Sequence, residues 1–210
     1  YLVLPLEAEA RTSGVVEDPW LLANELLSPC YIAGWTAAEH WGLTEQIFRS
    51  TFVATAARVR RSKLNIAGAE FHLAQVPRRQ VEGVGTTWRG SERVPLSGPE
   101  RTIADALVDP AWLGGVRHLA DILQAHREHK SWRPEKLVAE LDAIGTGAAF
   151  KRLGFLVEAL ALDAPAITSA AATRKTTGIV KLDPAIRSRG RLLKRWGLWV
   201  NASVGEEARG

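Results

Sequence analysis

The chain has 210 residues, 46% of them hydrophobic and 24% charged, with a formal net charge of +4. That composition is ordinary for a soluble globular protein of one large or two small domains, and no uncharged apolar run approaches the ~20 residues of a membrane-spanning helix. The single cysteine, Cys30, excludes an intramolecular disulfide and suits a reducing, cytoplasmic setting.

The charge is unevenly placed. Residues 1–50 carry two arginines against seven carboxylates, and residues 51–100 carry eight cations against four. Residues 101–163 are close to neutral, with eight cations against nine carboxylates, and residues 164–210 carry nine against three. Two basic segments flank a neutral one, which predicts a basic face if they meet in space.

Residues 1–6, apolar and interrupted by Pro5, read as a strand confined to an edge or an end, and residues 7–19 as a linker. The chain contains no methionine, so Tyr1 is not a translation start, and the sequence reads as a piece of a longer product. No basic start followed by an apolar stretch marks a signal peptide. Asp18 is expected to cap a helix opened by Pro19 and closed by Ser28-Pro29. A short buried strand follows over residues 30–34. Thr36 is expected to cap the next helix, with Glu39 completing a capping box and Gly42 stopping it.

A strand over 52–56 leads into the basic loop 57–63. Strands over 64–66 and 70–76 flank the turn Ala67-Gly68-Ala69. Extended pieces are expected at 80–84, 86–89 and 94–96, so the region is a meander or a mixed sheet. The stretch VPLSGPERTIADALVDPAW then runs from a strand end into a helix. Ser97 can cap that helix, Pro99 fits its first turn and Glu100 reinforces its positive end. Ile103, Ala104, Ala106 and Leu107 form its apolar face, and Arg101 and Asp105, four apart on the other side, are spaced to pair. Helices are expected over 116–129, 134–145 and 148–162. The segment from Pro165 looks irregular, 178–182 and 198–201 look like strands, and 187–194 like a basic loop. The expected fold is α/β of the mixed α+β type, a short-stranded mixed sheet from the first half packed by helices from the second.

Residues able to carry catalysis are sparse. His126 and His129, three apart, lack the cysteine or Glu-x-x-His partner of a metal site, and their flanks fit a solvated helix end. Gly83-Val-Gly85 lacks the serine of a nucleophile elbow and the third glycine of a dinucleotide loop. A nuclease would need carboxylates converging near a lysine, for which Glu70, Glu82 and Asp105 are the candidates. The basic clusters are the stronger signal. Arg58, Arg60, Arg61 and Lys63 share one loop, Arg78 and Arg79 follow Pro77, and Arg187, Arg189, Arg191, Lys194 and Arg195 lie near the end. Such groups neutralise phosphates and give salt-dependent affinity without reading sequence. Trp196 beside them is expected to pack in the core and not to stack on a base.

Several of these segments, in order, resemble the AbiEi-type antitoxins, DNA-binding autorepressors of type IV toxin–antitoxin operons. Tyr31, Ile32, Gly34, Ala37, Ala38, Trp41, Gly42, Leu43, Thr44 and Gln46 match that family's strand and helix entry, Trp41 standing where histidine is common. SGPERTIADAL resembles its S-x-PERTLxDxL segment, Pro110 with Gly114-Gly115 its P-x-x-G-G, and AFKRLGFL its kRLGyLLE helix. The resemblance spans about residues 18–160. It implies a C-terminal antitoxin domain over 15–205 preceded, over 1–14, by the last wing strand of a winged helix–turn–helix reader. It also implies a non-enzymatic autorepressor without cofactor or metal. Its partners would be the double-stranded inverted repeats of an operator and a nucleotidyltransferase-like toxin encoded next door. A protein-interaction domain, contacting that toxin or a second copy of the chain, is the alternative, and a metal-dependent nuclease the remoter one.

Overall fold

The computed structural model describes residues 18–130, 132–144 and 146–205. The expected wing strand and linker at the N-terminus lie outside these residues. The chain divides after Gly98 into two compact units, so the domain expected over 15–205 runs through both.

In the first unit, helix α1 (Pro19–Leu26) starts where expected: the Asp18 carboxylate accepts from the Trp20 backbone N–H at 2.8 Å. Strand β1 (Cys30–Ile32) leads into α2 (Gly34–His40). Thr36 does not cap α2. The helix begins two residues earlier, and the Thr36 hydroxyl instead accepts from the Phe52 backbone N–H at 2.8 Å, so a long-range partner takes the oxygen expected to serve the helix end. Gly42, with φ +65°, closes α2 as predicted.

Strands β2 (Thr51–Thr55), β3 (Lys63–Ile66) and β4 (Ala69–Gln75) complete a sheet in the order β1-β2-β4-β3. β2 and β4 run parallel and the other neighbours antiparallel, so the sheet is mixed. Ala67 and Gly68 both take positive φ in the two-residue turn between β3 and β4. One sheet face carries Ile32, Val53, Phe71 and Leu73 into a core shared with Trp20, Ala23 and Leu27 of α1 and its exit. On the other face, Trp35 from α2 meets Phe52 and His72 edge-on, at 4.8 Å between ring centroids in each case. Residues 78–81 form a single helical turn, α3 (Arg78–Val81), which takes in the start of the extended piece expected at 80–84. The unit ends in the hairpin β5 (Thr86–Arg89) and β6 (Glu92–Pro95).

The second unit is mainly helical: α4 (Pro99–Val108), a short 3-10 turn (Pro110–Leu113), α5 (Val116–Glu128), α6 (Pro134–Ile144), α7 (Gly147–Ala159) and α8 (Pro165–Arg174). The stretch from Pro165 expected to be irregular is thus a helix, its Ile167, Ala170 and Ala171 buried. α4 is buried nearly all round, so Arg101 and Asp105 pair at 2.9 Å inside the unit and not on a wet face. A small sheet, β7 (Val180–Lys181), β8 (Arg191–Leu193) and β9 (Leu198–Val200), has β9 in the middle. Asp183, just beyond β7, caps α5 from a distance: its carboxylate accepts from the Val116 N–H at 3.0 Å, 67 residues back in the chain. The architecture mixes sheets and helices, as expected.

Candidate nucleic-acid interface

All eleven cations singled out in the sequence are exposed. In the first unit, Arg58, Arg60 and Arg61 stand on the loop between β2 and β3, and Lys63 opens β3. The loop is fastened at both ends. The Ala57 N–H donates to the Thr55 hydroxyl at 2.9 Å, and the Ser62 carbonyl accepts from the Leu73 N–H at 2.8 Å. Val59 between them packs against the core, so alternate residues turn their arginines outward. Arg78 and Arg79 occupy the α3 turn, Arg78 pairing with Glu82 at 3.4 Å. Both members of that pair are well exposed, which makes it a weak tie that a phosphate can displace.

In the second unit, Arg187 and Arg189 lie on the loop between β7 and β8, Arg191 in β8, and Lys194 and Arg195 in the turn before β9. The arginine loop is braced from within. The Asn201 amide donates to the carbonyls of Asp183 at 2.8 Å and Ser188 at 3.1 Å. The Lys181 ammonium donates to the carbonyls of Ile186 and Arg187 at 2.8 and 2.9 Å. Gly190, with φ +68°, passes so close to β9 that an added Cβ would lie 1.9 Å from the Val200 carbonyl oxygen. The cations are therefore displayed on a fixed backbone, which lowers the ordering cost of binding an anionic partner. Asn201 and Lys181 are structural supports of this loop that cluster-counting in the sequence missed, because their partners are backbone carbonyls. Arg195 is tied to Glu158 at 2.7 Å. Trp196 is buried, its indole N–H donating to Glu158 at 2.6 Å, which leaves no ring face for a base.

The carboxylates weighed for a nuclease do not assemble. Glu82 is engaged by Arg78, Asp105 is buried against Arg101, and Glu70 lies exposed on β4. Among the described residues no group of three His, Cys, Asp or Glu side chains is placed to hold a metal ion. His126 corrects the solvated-end expectation. It is fully buried and bonds Glu100 through Nε2 at 3.2 Å, because residue 126 continues the stripe of Leu119, Ile122 and Leu123 that faces inward.

No protein-family model matches the chain, and no curated protein matches it. Among solved structures, the Rv2827c protein of Mycobacterium tuberculosis is similar, with a TM-score of 0.58 over 87% of this chain and 68% of its own. Its sequence identity is 16%, so the likeness is one of fold alone. No helix among the described residues is long and apolar enough to cross a membrane.

Proposed function

We propose that the chain is a non-enzymatic antitoxin and transcriptional autorepressor of a type IV toxin–antitoxin operon, acting in the cytoplasm, its basic loops supporting the binding of double-stranded operator DNA. The observation that carries this reading is the braced loop at 187–191, where exposed arginines ride on backbone pinned by Asn201 and Lys181. That bracing holds the arginines in place before a partner arrives, which lowers the ordering cost of binding. Phosphate contacts of this kind supply affinity and register, and sequence choice comes from groove contacts elsewhere.

The test is fluorescence anisotropy with the inverted repeats of the chain's own promoter, against scrambled duplex, at two salt concentrations. Binding that weakens steeply with salt supports the reading. Absence of duplex binding at low salt overturns it.

A second reading, a protein-interaction domain facing the toxin or another copy, is favoured by one feature of the first unit. Ile47 is 86% exposed in the loop after α2, where Trp41 is also exposed. Exposed large apolar side chains of this kind anchor interfaces.

A further inference from the structure

Trp88 is the most exposed tryptophan of the described residues, at 61%. It lies on β5 directly across from Arg93 of β6, and the Arg93 guanidinium sits 4.8 Å over its ring. The hairpin's opposite face is anchored. Val94 is buried there, and Arg89 pairs with Asp18 at 3.1 Å and lies 4.1 Å over the Trp20 ring. Leu96, just past β6, bridges to Ile32 of β1. The hairpin therefore hands all its packing to one side and holds an indole on the other. That indole has one face covered by a cation and the other open to water, although burying it would be worth a few kcal/mol.

We propose that the β5–β6 hairpin binds single-stranded nucleic acid, an unpaired base stacking on the open face of Trp88 while Arg93 meets the adjoining phosphate. The chemistry selects this occupant. A flat ring with a guanidinium beside it complements a base with its phosphate, and stacking on aromatic side chains is how unpaired bases are held without regard to sequence. The two-arginine turn α3 precedes β5 in the chain. Glu92 pairs in register with Arg89, so it belongs to the anchored face and does not oppose a phosphate. A duplex offers no such base face, because each base is already stacked on its neighbours. The proposal rests on the nucleic-acid reading above for its partner class, but it concerns different residues and a different form of the polymer.

The experiment is anisotropy of the full chain with a labelled deoxythymidine oligonucleotide of about twelve bases, beside a duplex of equal length. Trp88→Ala is expected to weaken single-strand binding about ten-fold, the scale of one lost base stack, and to leave duplex binding within about two-fold. Trp88→Phe, which keeps an aromatic face, should retain most of the single-strand affinity. Arg93→Ala should weaken it and reduce its salt dependence. Replacing Arg58, Arg60 and Arg61 should weaken the duplex instead. No single-strand binding by the wild-type chain overturns the proposal, as does equal loss on both nucleic acids. So does an unchanged affinity in Trp88→Ala. Failure of the operator reading appears separately, as duplex binding that is absent while the oligonucleotide still binds.

Discussion

Glu100 and His126, twenty-six residues apart in the chain, meet at 3.2 Å with both side chains sealed from water. With the carboxylate ionised, the imidazole Nε2–H donates, and Nδ1 is left buried with no hydrogen-bond partner. Lys136 reaches the other carboxylate oxygen at 3.1 Å, so α4, α5 and α6 converge on one charge. Burial pushes the His126 imidazole below its ordinary 6.5, against the pull of Glu100. Burial alone would raise the Glu100 carboxyl, but its backbone N–H, Lys136 and His126 together hold it below 4.5.

The sign of the pH dependence follows. As pH falls through about 6.5, the unfolded chain protonates residue 126 while the folded chain does not, so stability declines on acidification. Glu100 contributes fully above about 4.5, and its share is lost only as pH falls through its lower folded value. His40 and His72, also pushed down chiefly by burial, act in the same upper window, so the informative quantity is a difference. His126→Gln, whose amide can still donate to Glu100, should flatten the decline in urea-unfolding free energy below about pH 6.5 relative to wild type. Identical slopes would dismiss His126 as the titrating group. His126→Ala, which removes one donor from a buried carboxylate and opens a cavity, should cost about 3 kcal/mol.

Arg152 is expected to be less replaceable still. Buried in α7, it donates to the carbonyls of Leu107 and Val108 at the end of α4, at 2.8 and 3.0 Å, and of Leu182 and Lys181 near β7, at 3.0 and 3.2 Å. One planar fork thus closes a helix end and ties it to the small sheet. Lysine carries the charge but has no fork to span four carbonyls. Arg152→Lys and Arg152→Met should both lose about 3–5 kcal/mol in chemical denaturation, and wild-type stability in the lysine variant would refute the geometric argument.

Much of the local structure was legible in the sequence because its causes are local. Asp18-Pro19 announces a helix start, Ala67-Gly68 a turn, and Arg101 with Asp105 a pair. The misreadings share a different origin. Periodicity assumes that a helix keeps a wet side, yet α7 buries both Lys151 and Arg152, and their partners, Gly178 for Lys151 and Leu107 and Leu182 for Arg152, are far along the chain. Thr36 looked like a cap because nothing nearby shows that Phe52 would claim its hydroxyl. His126 was readable, since it falls seven residues after Leu119 on the same inward stripe. The basic loops were visible as composition, while their bracing by Asn201 and Lys181 was not, because backbone carbonyls carry no sequence signature.

Gly154 of α7 is fixed by its neighbour. A Cβ there would lie 2.3 Å from the six-membered ring of Trp196, so Gly154→Ala must displace the indole and break its bond to Glu158. The expected loss is about 2–3 kcal/mol. In a Trp196→Leu background the same substitution should cost much less, because the obstructing ring is gone. Additive losses in the double-mutant cycle would show that the contact is not the cause.

Cys30 should be chemically silent in the folded chain. Burial pushes its thiol up to about 11, against a smaller lowering by Ser28, and the sulfur sits 3.5 Å from the Ala23 carbonyl inside the core. The thiolate is the reacting form. Iodoacetamide near pH 8 should leave the native protein unlabelled and modify it fully in denaturant, as read by intact mass. Rapid labelling of the native chain would contradict the packing of β1.

The arginines of the β2–β3 loop offer the most direct functional prediction. Val59 holds the loop against the core and Arg58, Arg60 and Arg61 are exposed, so replacing the three by alanine removes surface charge. It should lower duplex affinity and flatten the log–log salt dependence, by up to roughly one unit of slope per lost phosphate contact. Arg78 and Arg195 are each held by a carboxylate that already compensates part of their charge, so removing either singly should change the slope by less than one unit. An unchanged slope in the triple variant would place the loop outside the interface.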